Sequence, residues 1–141
     1  MRIPYLEKLL LEEPTFKVEG IGSFWRIFKK EDIEMNYVNF ERIPPHYHKK
    51  SRETFIVVEG SGIMYTGSKE EFRDLGRKTW KHIVKETRLG PGDVLHISPY
   101  KPHMLKVDGD YIEVLLVNKP PLDKTKTFDE VQLNIPEGLK L

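Results

Sequence analysis

The chain has 141 residues, with 23 Lys and Arg set against 22 Asp and Glu, and no cysteine. That length suits one domain, here taken as residues 1–141, able to bury a core without covalent staples. The balanced charge argues against a dedicated nucleic-acid binder, and the missing thiols rule out disulfides and thiolate metal sites. No apolar run approaches the ~20 residues of a membrane span. Glu7, Lys8, Glu12 and Glu13 sit where a signal peptide needs an apolar core. The expectation is therefore a soluble cytoplasmic protein with no nucleic-acid or membrane partner.

In chain order, residues 5–13 predict a short helix with Leu6, Leu9 and Leu10 on one face, ended by Pro14. With the residues up to 23 it would form a flap on the main body. Phe24–Phe28 reads as a first strand and Ile33–Ile43 as a longer one with apolar residues on both faces, as in a buried strand. Pro44-Pro45 then forces extended chain into His46. In one continuous strand Val38, Phe40, Arg42, His46 and His48 would share a parity. Thr54–Glu59, rich in β-branched and aromatic residues, and Ile63–Thr66 flank Gly60-Ser61-Gly62, a hairpin signal. Residues 67–78 form a long polar connection. Trp80–Thr87 predicts a strand, Leu89–Asp93 a Gly/Pro turn, and Val94–Ser98 another strand. Pro99–Pro102 delivers His103, Met104–Val107 continues, and Tyr111–Val117 is the last clear strand. Residues 119–141 form a polar tail with sparse apolar residues (Phe128, Val131, Leu133, Ile135) that would wrap the body or reach a partner subunit. Short strands at regular spacing with Gly/Pro turns predict an all-β sandwich or barrel, its core at about residues 24–118.

The chemistry concentrates at His46-Tyr47-His48 and Glu53. Residues i and i+2 of a strand point to one face, so the two imidazoles can aim into one volume, and Glu53 can add an oxygen across a short bend. Two nitrogens and a carboxylate oxygen suit a divalent transition metal.

These residues resemble the cupin superfamily, specifically a small single-domain cupin. Its first motif is a histidine pair one residue apart, a glutamate a few residues on and a glycine seven beyond that, here His46, His48, Glu53 and Gly60. Its second begins with a Gly-Asp turn and ends in a histidine, here Gly92-Asp93 through His103. The resemblance covers about residues 35–117. It implies an all-β double-stranded β-helix, or jelly-roll barrel, with a metal held by His46, His48, Glu53 and His103. Ser98, Tyr100 and Val107 stand where the second motif usually has Pro, Gly and Asn. Many cupins are homodimers, so a homodimer is expected by analogy.

Three histidines and one carboxylate suit one ion of Fe, Mn, Ni or Zn, with up to two positions open on an octahedral ion. Such a centre can act as a Lewis acid in isomerase or lyase chemistry, or as Fe(II) in dioxygenase chemistry. The expectation is a metal-dependent enzyme on a small polar molecule; the alternative is a non-catalytic metal- or ligand-binding module. Glu113 and Tyr111 are the candidate catalytic residues, and the ordinary alternative for Glu113 is a solvent-facing position. Tyr37, Tyr65, Tyr100 and Lys101 are candidate substrate contacts, while core packing is the default for Trp25, Tyr37, Phe40 and Tyr65. Arg42, Lys50 and Arg52 could clamp an anion or form a solvated edge. His82 and His96 read as ordinary strand histidines.

Overall fold

Strands dominate the computed structural model, which describes residues 4–73, 78–122 and 130–134. One helix, α1 (Pro4–Leu9), precedes β1 (Phe16–Val18), β2 (Gly22–Lys29), β3 (Glu34–Phe40), β4 (Ile43–His48), β5 (Arg52–Glu59) and β6 (Gly62–Gly67). A 3-10 turn (Lys69–Glu71) leads to β7 (Ile83–Leu89), β8 (Val94–Ile97), β9 (His103–Val107), β10 (Ile112–Lys119) and β11 (Glu130–Gln132). They form two antiparallel sheets, one ordered β1-β2-β3-β10-β5-β8 and the other β11-β4-β9-β6-β7. From β3 onward every connection but β6–β7 crosses from one sheet to the other. This is the jelly-roll, or double-stranded β-helix, arrangement.

The main core lies between the sheets. Phe24, Val38, Phe40, Phe55, Val57, Val114 and Leu116 of the first sheet meet Ile43, Met64, Leu89 and Leu105 of the second. Two further apolar layers lie outside. Leu6 of α1 covers Trp25 and Tyr37 on the outer face of the first sheet. Phe72, Trp80 and Leu133 cover Tyr47, Tyr65 and Met104 on the outer face of the second. Each sheet is therefore buried on both faces over much of its area, which is why apolar residues appear at both parities along β3.

Several expectations change. The single strand over Ile33–Ile43 is two strands in different sheets. It breaks at Glu41-Arg42, where the Ile21 carbonyl accepts from both backbone N–H groups at 2.7 and 3.4 Å. Arg42 points to solvent and its Nε donates to the Gly20 carbonyl at 2.8 Å, so the parity linking it to His46 and His48 is lost. Gly60-Ser61-Gly62 does not close a hairpin. It carries the chain from β5 across to β6, which pairs with β7 and β9 instead. Gly60 sits at φ +87° with its missing Cβ 2.9 Å from the Tyr111 carbonyl oxygen, so only glycine fits. Trp80 precedes its strand; it is buried and donates from Nε1 to the His82 carbonyl at 2.8 Å. The helix is shorter than residues 5–13 and ends in a turn in which Glu12 N–H reaches the Leu9 carbonyl at 3.0 Å. Of the tail, Glu130–Gln132 (β11) adds to the edge of the second sheet beside β4. Phe128, Ile135 and residues 74–77 lie outside the described residues.

Candidate metal centre

Pro44-Pro45 holds β4 extended, so His46 and His48 project into the space between the sheets. Pairing of β4 with β9 sets His46 directly opposite His103. Glu53, at the start of β5, enters from the facing sheet. The four are the one buried group of metal-capable side chains among the described residues, with one ligand atom from each lying within 4.8 Å of the rest.

The local distances match a coordination sphere. Glu53 Oε1 is 3.0 Å from His103 Nε2 and 3.2 Å from His48 Nε2, and the Nε2 atoms of His46 and His48 are 3.2 Å apart. At metal–ligand bonds of about 2.1 Å, neighbouring ligands of an octahedron lie about 3.0 Å apart and those of a tetrahedron about 3.4 Å. Glu53 Oε1 and His103 Nε2 are buried and otherwise unsatisfied. A divalent ion would satisfy both, so the residues present fit the group that their chemistry implies.

The rings are also held in the right tautomer. His46 Nδ1 lies 2.8 Å from the Pro44 carbonyl oxygen, and His103 Nδ1 lies 3.0 Å from that of Lys101. With Nδ1–H donating to a carbonyl, each Nε2 keeps its lone pair for a metal. Both contacts span two residues, so each histidine is locked by the chain that delivers it. Burial, followed by the His103 and His48 rings, holds the pKa of His46 well below 6.5, against the smaller opposing pull of Glu53. Burial alone would raise Glu53, but the adjoining His48 and His103 rings outweigh it and hold the carboxyl well below 4.5. A neutral imidazole and an ionised carboxylate are the forms that bind metal.

Some neighbours of this group were invisible to sequence reasoning. Asn118, buried on β10, donates from Nδ2 to Glu53 Oε2 at 3.0 Å and to Ser51 Oγ at 3.2 Å, and Ser51 in turn donates to the Pro120 carbonyl at 2.9 Å. Register carries this arrangement: Asn118 is opposite Glu53 across β10–β5. Asn118→Ala should therefore free the Glu53 carboxylate to rotate and weaken divalent-metal affinity about 10- to 100-fold, measured by chelator competition. An unchanged affinity would mean that Glu53 is held without it. Glu130 is the tail's contribution. Pairing of β11 with β4 places it opposite His48, with Oε1 3.7 Å from His46 Nε2 and 3.8 Å from His48 Nε2.

Other candidates go elsewhere. Tyr37 and Glu113 face the outer side of the first sheet, where the Tyr37 hydroxyl donates to Glu113 Oε2. Glu113 is buried there, at neither of the two positions expected of it, and Tyr111 is exposed. Both border an open groove of about 730 Å³ beside α1, together with Glu7, Lys8, Leu11 and Asn39. This groove lies across the sheet from the histidines. Tyr65 packs in the outer layer of the second sheet, and Tyr100 joins that layer by stacking on Tyr47 at 5.8 Å. Tyr100 adopts φ +65°, the left-handed conformation that a glycine takes without strain. Lys101 reaches the site through its backbone carbonyl. Arg52, Lys50, His82 and His96 are exposed.

A family model described as Cupin matches residues 35–137. No curated protein matches the sequence. Among solved structures, KdgF from Halomonas sp. is similar, at 18% identity and TM-score 0.62, over 82% of this chain and 94% of that one. Pac13, described as a nucleoside dehydratase, is similar at 18% identity and TM-score 0.61, over 86% of this chain and 85% of that one. Oxalate decarboxylase from Bacillus subtilis matches at 17% identity and TM-score 0.62, over 83% of this chain and 29% of the larger protein. The two-sheet fold and the matched length of sequence agree, and the chain belongs to the cupin family.

Proposed function

We propose that the protein holds one divalent transition-metal ion on His46, His48, Glu53 and His103 and acts as an enzyme on a small polar substrate in redox-neutral chemistry, an isomerisation or an elimination. The observation that carries this is the convergence of three Nε2 atoms and one carboxylate oxygen, two of them otherwise unsatisfied in a buried site. The three-nitrogen, one-oxygen donor set suits Fe, Mn, Ni or Zn. The ion would supply a Lewis acid that polarises a substrate oxygen. The chain's own residues do the rest: the Pro44 and Lys101 carbonyls fix the tautomers, Asn118 orients Glu53, and Glu130 presents a carboxylate beside His46 and His48. The elimination direction draws support from a similar structure described as a nucleoside dehydratase. A cytoplasmic location and a homodimer belong to the same reading; Val84 and Val94 are exposed apolar residues on the edge strands β7 and β8, available for such a contact.

The test is to strip the protein with a chelator and reload it separately with Zn, Mn and Fe(II). Turnover of small hydroxylated carbonyl compounds should return with Zn or Mn and proceed without dioxygen uptake. Turnover confined to the iron form with dioxygen consumed would replace this reading by dioxygenase chemistry. Ligand binding without turnover in every form would replace it by the non-catalytic module.

A further inference from the structure

Buried polar atoms without a partner are rare in folded proteins, and each asks for an explanation. Among the described residues they are Glu34 Oε1, Asn36 Oδ1 and Nδ2, Glu53 Oε1, His103 Nε2 and Asn118 Oδ1. They are not scattered. Glu34 lies opposite Asn118 across β3–β10, and Asn118 lies opposite Glu53 across β10–β5, so the three form one row on one face of the sheet. Asn36 is one step along the same face, opposite Leu116, a residue of the inter-sheet core. That face looks toward the histidines. A metal ion accounts for the atoms of Glu53 and His103 and leaves the atoms of Glu34, Asn36 and Asn118 unexplained.

The chemistry of the remaining atoms defines what would satisfy them. Glu34 Oε1, Asn36 Oδ1 and Asn118 Oδ1 accept, whereas only Asn36 Nδ2 donates. Asn118 Nδ2 is already committed to Glu53 and Ser51, which fixes its oxygen as the free atom. Both polar atoms of Asn36 are free, so the count does not depend on which way that amide is turned. Glu34 carries no uncompensated charge, because its other oxygen takes a hydrogen bond from Arg26 Nε at 3.1 Å. The wall is therefore neutral as a unit and richer in acceptors than donors. It calls for a ligand that brings several O–H donors and can also accept from one N–H. Neither an inorganic anion nor an apolar acid meets that requirement; adjacent hydroxyls on a carbon skeleton do.

We propose that Glu34, Asn36 and Asn118 form a hydroxyl-recognising wall, and that the substrate is a polyhydroxylated, monosaccharide-sized molecule spanning from this wall to the metal centre. This rests on the metal reading above and narrows it to a substrate class. Size follows from topology. Glu34 and Glu53 are two strands apart, about 10 Å between backbones at about 4.8 Å per strand, with Asn118 between them on the same face. Asn36 is 1% exposed and Glu34 0%. A neutral apolar residue would have been the more stable choice at either position unless something hydrogen-bonds there.

Asn36→Leu separates function from fold. The leucine keeps the shape approximately and removes two unsatisfied atoms, so the variant should melt a few degrees higher, about 2–4 °C. It should hold the same molar equivalent of Zn as the unaltered protein, which isolates this test from failure of the metal site. Binding of D-glucose, D-fructose, D-ribose and myo-inositol to the Zn-loaded protein would be followed by ligand-observed NMR, with succinate as the hydroxyl-free comparison. At least one polyol should bind the unaltered protein, succinate should not compete, and affinity should fall about tenfold or more in Asn36→Leu and in Glu34→Gln. The proposal is overturned if none of the four polyols binds, if succinate binds as well as they do, or if Asn36→Leu binds them unchanged. A lower melting temperature with unchanged polyol binding would assign Asn36 to the fold alone.

Discussion

Replacing His103 with alanine should abolish stoichiometric divalent-metal binding, a loss larger than the 10- to 100-fold expected for an outer hydrogen-bond partner such as Asn118. His103 is fully buried and brings its nitrogen from β9, whereas His46 and His48 share β4. The other carboxylate nearby among the described residues, Glu130, stands outside the buried group, its side chain 42% exposed and its Oε1 3.7 and 3.8 Å from the His46 and His48 nitrogens. The unaltered protein at a metal concentration a hundredfold above its Kd should gain about 2.7 kcal/mol of stability; the variant should gain none. His82→Ala is the control, since His82 is exposed and outside the group. Elemental analysis and a melting curve with and without Zn check both statements. A full equivalent of metal retained by His103→Ala would remove that residue from the proposed ligand set.

Phe55→Ala should be the most damaging single truncation near the site. Phe55 is 1% exposed, packs in the inter-sheet core, and sets its ring 6.4 Å from that of His103 and 6.3 Å from that of Phe40. Deleting a fully buried phenyl ring costs about 3–5 kcal/mol, which for a chain of this length lowers the melting temperature by roughly 10–15 °C. The cavity would also leave the His103 ring without one of its walls, so metal affinity should fall with stability. Phe55→Leu refills most of the volume and should recover most of both. A truncation costing under about 1 kcal/mol would mean that the sheets close over the space.

The two predictions draw on different kinds of legibility. His46, His48 and Glu53 were readable because their relation is local: two strand positions on one face and a carboxylate just beyond a bend. His103 was readable only through a resemblance, since nothing local ties β9 to β4. The all-β architecture followed from turn chemistry and strand spacing. What failed was the assignment of faces. Tyr37 alternates with the inward Val38 and Glu113 with the inward Val114, but α1 covers the outside of that sheet, so burial on the outer face looks the same in sequence as burial on the inner one. Tyr65 and Tyr100 were lost in the same way beneath Trp80 and Phe72. Conversely Glu34, Asn36 and Asn118 drew no notice because a polar residue in a strand usually faces water. Their position is set by cross-strand register with residues far along the chain. The Ile33–Ile43 strand failed for a related reason: the Ile21 carbonyl that turns the chain at Glu41 lies outside any local window.

The crossing connections have a kinetic consequence. β3 pairs with β10 and β4 with β9, so both sheets are stitched by partners from opposite ends of the fold. Loop closures of that length must come before the contacts that reward them, and topologies dominated by non-local pairing fold slowly, in milliseconds to seconds. His46, His48 and Glu53 leave the ribosome well before His103, and Glu130 follows later still. A nascent chain therefore carries the first three residues of the proposed ligand set without the strand that completes it, and on that proposal metal capture would be one of the last events in making this protein.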